Sequence, residues 1–170
     1  MKVLMIIAQE GYQDIEYGEP KEVFESAGFE VITASKTQGL AKGSLGGTTE
    51  AEIALGEVET KDFDAIVFIG GPGAVVYQHD EEAHRIVSEA LEEEKILAAI
   101  CIAPTILAYA GGLKDKKATV WNGDGEQSKI LEAQGAEYAA ESVVVEGRTV
   151  TADGPSSAKD FARNIINLLS

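Results

Sequence analysis

Cysteine, histidine and tryptophan are nearly absent from this chain: one Cys, two His and one Trp among 170 residues. A lone cysteine forms no internal disulfide, so packing alone has to hold the fold, and a cytoplasmic setting is expected. One Cys and two His at no ligand-like spacing argue against a metal centre. Cations are scarce as well, 14 Lys and Arg against 29 Asp and Glu, which leaves a formal charge of −15. Such a surface repels phosphates, so neither nucleic acid nor an anionic membrane is expected as a partner. No apolar run approaches the roughly 20 residues that cross a bilayer. The opening MKVLMIIAQE has no small-residue cleavage site and reads as a first strand rather than a leader. There is no internal repeat, low-complexity segment or linker, and one domain over residues 1–170 is expected.

What the chain does have is a 45% apolar content arranged in short blocks. Residues 2–8, 29–35, 64–71 and 95–101 are continuous apolar runs, the pattern of strands buried on both faces. Between and after them, helical periodicity runs over 16–28, 80–94, 103–112, about 125–134 and from about 156. Short strands are expected at 116–121 and about 136–151. Residues 36–60, rich in Gly and Thr, read as short strands and turns off the main sheet. Strand and helix in alternation predict a mostly parallel sheet with helices on both faces, a three-layer α/β/α sandwich.

In such a fold, reactive groups gather at the carboxyl ends of the strands. Cys101 lies at one of these ends, and APTILAYAGG turns straight into a helix behind it. A residue at so sharp a turn presents its side chain to the cleft, as in a nucleophile elbow. The helix N-terminus behind the thiol is expected to lower its pKa. A neighbouring strand ends in Gly70-Gly71-Pro72-Gly73, where backbone N–H groups can approach a ligand and hold an oxyanion. A dinucleotide site is a poor reading of these glycines, because the third position of that fingerprint is Val76. After the first strand, Glu10, Asp14, Glu16 and Glu19 crowd one loop and helix start. One of them can reach across to the thiol.

The stretches KVLMIIA, GYQDIE, DAIVFIGGPGA, AAICIAPTILA and TADGPSSAKDFA, in this order and spacing, resemble the DJ-one/PfpI superfamily over essentially the whole chain. The resemblance implies a flavodoxin-like sandwich with the class I glutamine-amidotransferase-like arrangement, no cofactor, and a homodimer or higher homo-oligomer. It implies that Cys101 is the elbow cysteine and that Glu16 is the carboxylate bonded to it. Gly70 and Gly71 match the glycines whose amides face the sulfur. Gly154 and Pro155 match a Gly-Pro pair at the pocket. The departures are equally specific. The residue after the cysteine, a histidine in the PfpI-type peptidases, is Ile102 here. Trp121 stands where the DJ-one branch brings a histidine from a later strand. The two histidines, His79 and His84, fall at the start of the 80–94 helix, and a role for either in a neighbouring subunit's site stays open.

Peptide cleavage needs an acid to protonate the leaving amine, usually an imidazole, and none follows Cys101. Three readings remain. A thiolate, a carboxylate and the Gly70, Gly71 and Ile102 amides suffice to process small reactive carbonyls, as in the glyoxalase III conversion of methylglyoxal to lactate. An exposed reactive thiol also suits a redox-sensing or stress-protective protein working through Cys101 oxidation. A PfpI-type peptidase or amidase is the third.

Overall fold

The computed structural model describes all 170 residues. The chain runs β1 (Lys2–Ile6), β2 (Glu10–Tyr12), α1 (Asp14–Ser26), β3 (Glu30–Ser35), β4 (Gly39–Gly43), β5 (Thr48–Ala51), β6 (Ile53–Ala54) and β7 (Ala65–Phe68). It continues through α2 (Glu81–Glu92), β8 (Ile96–Ile100), α3 (Pro104–Tyr109), β9 (Lys117–Ala118), α4 (Gln127–Ala133), β10 (Glu137–Tyr138), β11 (Val143–Glu146), β12 (Thr149–Ala152) and α5 (Ala158–Leu169).

Seven strands form the central sheet in the order β11-β12-β8-β7-β1-β3-β6. Every pairing is parallel except that of the edge strand β11 with β12. The alternation of side chains along each strand divides the core in two. Leu4, Ile6, Ile66, Phe68, Leu97 and Ala99 face α2, α3 and α4. Val3, Met5, Val67, Ala98 and Ile100 face α1 and α5, where Phe24 and Phe161 are fully buried. The architecture is therefore the three-layer, mostly parallel sandwich expected from the apolar blocks.

Residues 36–60 do leave the sheet in part. β4 and β5 pair antiparallel, and β4 joins β2 in a separate three-stranded sheet. The expectation fails at Ile53–Ala54, which returns to pair with β3 and closes the main sheet's edge. Asp14 fastens this excursion to α1: its carboxylate accepts the amides of Leu45 at 2.7 Å and Gly47 at 2.8 Å. The strand expected over 116–121 shrinks to Lys117–Ala118, paired only with β10.

β2 passes close beneath the turn that follows β7. The space is kept by glycines: Gly11 and Gly73 lie against one another, and a Cβ on Gly73 would collide with the Glu10 carbonyl oxygen and sit 3.0 Å from Ala8 Cβ. This approach sets the start of α1 against the end of β7. Gly73→Ala is expected to lower stability by about 1–3 kcal/mol, the usual cost of overpacking. Urea unfolding would show it as an earlier midpoint at unchanged slope, and an unmoved midpoint would mean that the β2 approach is not a constraint.

Candidate functional site

Cys101 adopts φ 65° directly after β8, a left-handed conformation that a non-glycine residue holds only when its surroundings impose it. Those surroundings are visible. The Cys101 amide donates to the Ala152 carbonyl at 2.9 Å, and the Cys101 carbonyl accepts the Trp121 amide at 2.7 Å. Both neighbours thus pin the elbow, and the side chain turns into a cleft of about 390 Å³. The cleft is lined by Gln13, Glu16, Gly71, Pro72, Cys101, Ile102, Trp121 and Pro155.

Glu16 comes from the first turn of α1 and is fully buried. Gln13 caps that helix: its Oε1 accepts the amides of Ile15 at 2.7 Å and Glu16 at 3.0 Å. The Gln13 amide in turn donates to the Gly70 carbonyl at 3.0 Å. The carboxyl of Glu16 reaches across to the end of β7, where Oε1 accepts the Gly70 amide at 3.1 Å. Its other oxygen, Oε2, is buried and makes no well-aligned hydrogen bond. Gly70 has no room for a side chain. A Cβ there would stand 2.5 Å from Glu16 Oε1, 2.7 Å from Cys101 Cβ and 2.7 Å from the Ile100 carbonyl oxygen.

Burial raises the Glu16 carboxyl from 4.5 to about 7, against the lowering effect of its bonds to Cys101 and Gly70. The thiol of Cys101 is pushed up to about 12 by burial, then by the charge of Glu16 and the bond to it. The amides of Ile102 and Gly71 act in the opposite direction and favour the thiolate. The expectation of a thiol pKa lowered by the helix behind it is therefore not met. α3 starts only at Pro104, is six residues long, and is outweighed by burial and by a carboxylate in contact. The two groups titrate as a pair. Between about 7 and about 12 they hold one proton and one negative charge between them. With the proton on Glu16, the repulsion that raises the thiol is gone.

Of the residues expected from sequence, Cys101, Glu16, Gly71, Ile102, Trp121 and Pro155 meet at one cleft. Gly70 does not serve as an oxyanion donor, because its amide is spent on Glu16. Gly154 does not border the cleft; its φ of 161° is ordinary extended backbone, and only Pro155 after it reaches the cavity. Neither histidine lies there. His84 Nε2 bonds the Gln78 carbonyl oxygen at 2.7 Å, and His79 packs on Tyr109 with the rings tilted at 55° and their centroids 4.4 Å apart. Trp121 is 38% exposed at the mouth, its indole packed on Gly123. Sequence reasoning misses Gln13 and Pro72. The only signal for Gln13 is its place just ahead of the acidic helix start, and glutamine is not among the preferred caps.

The titration of Glu16 bears on stability. An unfolded chain ionises this carboxyl at about its ordinary 4.5, the folded chain at about 7. The folded state therefore binds more proton between these values. The stability this group contributes is complete below 4.5 and is lost as pH rises through 7. The loss is on the order of 3 kcal/mol. Glu16→Gln does not titrate, so its stability relative to the parent is expected to rise from about pH 5 to about pH 8. Denaturant melts at both values test this, and parallel pH profiles would mean that the carboxyl is not held in its neutral form.

The chain is similar to known proteins over its whole length. The model of the DJ-1/PfpI family matches residues 1–168. A protein of Methanocaldococcus jannaschii is 38% identical over 99% of this chain and 82% of its own length. A deglycase of Thermococcus kodakarensis is 34% identical over 99% of both chains. The crystal structure of a ThiJ/PfpI domain protein from Brachyspira murdochii superposes with a TM-score of 0.94 at 35% identity, covering 99% of this chain and 95% of that one.

Proposed function

The chain belongs to the DJ-1/PfpI family, and on that premise we propose that it is a cofactor-free, cysteine-dependent enzyme that converts small α-oxoaldehydes such as methylglyoxal to the 2-hydroxy acid. The observation that carries this reading is the pairing of Cys101 with a carboxyl raised to about 7 in a cleft that no imidazole borders. The deglycase named among its relatives supports a protective role against reactive carbonyl damage.

The chemistry follows from the one-proton pair. Cys101 sulfur attacks the aldehyde carbon, and the carbonyl's electron pair moves to oxygen, which takes the proton held between Glu16 and the thiol. The amides of Gly71 and Ile102, which favour charge on the sulfur, are the backbone donors available to that developing oxyanion. Glu16, now a carboxylate, removes the proton from the former aldehyde carbon and returns it to the neighbouring carbon, while the hydroxyl proton of the hemithioacetal passes to the neighbouring oxygen. The product of this shift is a 2-hydroxyacyl thioester. Water hydrolyses it, the 2-hydroxy acid leaves as its anion with one proton, and the one-proton pair of thiol and carboxylate is restored, so each turnover consumes one water and needs no redox partner. A group with a pKa near working pH suits both halves of the transfer.

Peptide hydrolysis is the weaker reading, because His79 and His84 are engaged elsewhere in the chain.

Purified protein incubated with methylglyoxal is expected to release lactate. Cys101→Ser should abolish the release, and Glu16→Gln should lower kcat by about 100-fold or more. Activity should rise with pH through about 7, where the pair loses its first proton. Lactate formation surviving in Cys101→Ser would overturn the proposal.

A further inference from the structure

The cap of α1 leaves one group of Gln13 unused. Oε1 accepts two amide protons, at 2.7 Å from Ile15 and 3.0 Å from Glu16, which fixes the orientation of the side-chain amide because only oxygen can accept them. The NH₂ is therefore the other branch, and it makes no hydrogen bond to the protein, while Gln13 itself borders the cleft. Pro72, Ile102 and Pro155 have no side-chain donor, and Glu16 and Cys101 face each other, so the only other side-chain donor in the lining is the indole N–H of Trp121, a residue 38% exposed at the mouth. The loss of the Gly70 amide to Glu16 sharpens the need: the backbone donors left, Gly71 and Ile102, both bear on the sulfur side.

We propose that the side-chain NH₂ of Gln13 holds the second oxygen of a 1,2-dicarbonyl substrate, so that the cleft selects α-oxoaldehydes over monofunctional aldehydes. A substrate whose aldehyde carbon is bonded to Cys101 sulfur carries its ketone oxygen one carbon further on. The backbone amides take the oxygen at the bonded carbon, and Gln13 takes the neighbouring one. That oxygen gains negative charge as the proton leaves the sulfur-bonded carbon, so the contact strengthens during the transfer and is not merely a grip on the ground state. A simple aldehyde has nothing to present to Gln13. A cap residue thus serves two ends of one amide: its oxygen orients Glu16 and its nitrogen reads the substrate.

The inference rests on the carbonyl-processing reading for its substrate class, but its test needs no turnover. Addition of an aldehyde to Cys101 protects the thiol from alkylation by iodoacetamide. The concentration giving half protection is measured for methylglyoxal and for propanal, in the parent, in Gln13→Ser and in Gln13→Glu. Serine keeps a good cap on a side chain too short to reach the substrate; glutamate keeps the length and the acceptor and, ionised, has no donor. Either variant that shows a cooperative melt decides the matter. The expected result is a rise of about tenfold for methylglyoxal, the scale of one hydrogen bond lost in a desolvated cleft, with propanal unchanged within about twofold. Equal shifts for both aldehydes would show that Gln13 acts only through the thiol and Glu16, and would overturn the proposal, as would no shift for either. If selective protection holds but no lactate forms, the selection by Gln13 stands and the proposed reaction falls.

Discussion

The bond from the Gly70 amide to Glu16 Oε1 ties together three parts of the chain that are remote in sequence. It holds the start of α1 against the end of β7, and the missing side chain at Gly70 admits the end of β8 with Cys101. A carboxyl placed so deeply would ordinarily find partners for both oxygens. Here one oxygen is satisfied and the other is left in the interior near a thiol. The cost of that arrangement is what raises both groups above their ordinary ranges, and it leaves the pair sharing a proton over a wide span of pH. Gln13 and the glycines at 11 and 73 are best understood as supports for it. They fix the helix start and the close passage of β2 that bring Glu16 to the sulfur.

The scaffold around the site is correspondingly rigid. The parallel strands are buried on both faces, and their carboxyl ends bring β1, β7 and β8 to one rim. Cys101 could not keep its left-handed backbone on a mobile loop. Bonds to Ala152 from one side and Trp121 from the other hold it, and each comes from a different segment of the chain. The reactive residue therefore depends on the segments around 121 and 152 being in place, although neither carries a group of the proposed reaction.

Much of this architecture is legible in the amino-acid sequence alone. Continuous apolar runs mark β1, β3, β7 and β8, because strands covered on both faces have no polar alternation to hide them. Cys101 stands out by its position between an apolar run and a Pro-started helix, and Glu16 by the resemblance. The failures have a common cause. Whether an amide is free or already bonded is not written in local sequence, so Gly70 reads as an oxyanion donor and Gln13 passes unnoticed. Gly154 reads as a pocket residue beside Pro155, yet its extended backbone makes no use of glycine's freedom. Two-residue strands such as Ile53–Ala54 and Lys117–Ala118 exist only through their partners, and periodicity cannot see a partner. A thiol lowered by a helix dipole leaves out the opposing burial, a balance that only depth within the fold settles.

Trp121 is the chain's single tryptophan, and it stands half-open at the mouth of the one cleft that contains the thiol. Its backbone amide is bonded to the carbonyl of Cys101, and its ring rests on Gly123. The indole emission of the whole molecule therefore arises at a single point, a few bonds from the elbow. No other indole contributes a background that would dilute a signal from ligand entry or from a change in sulfur oxidation. The protein carries its own optical reporter of the cleft, installed at the position where the resemblance would have placed a histidine.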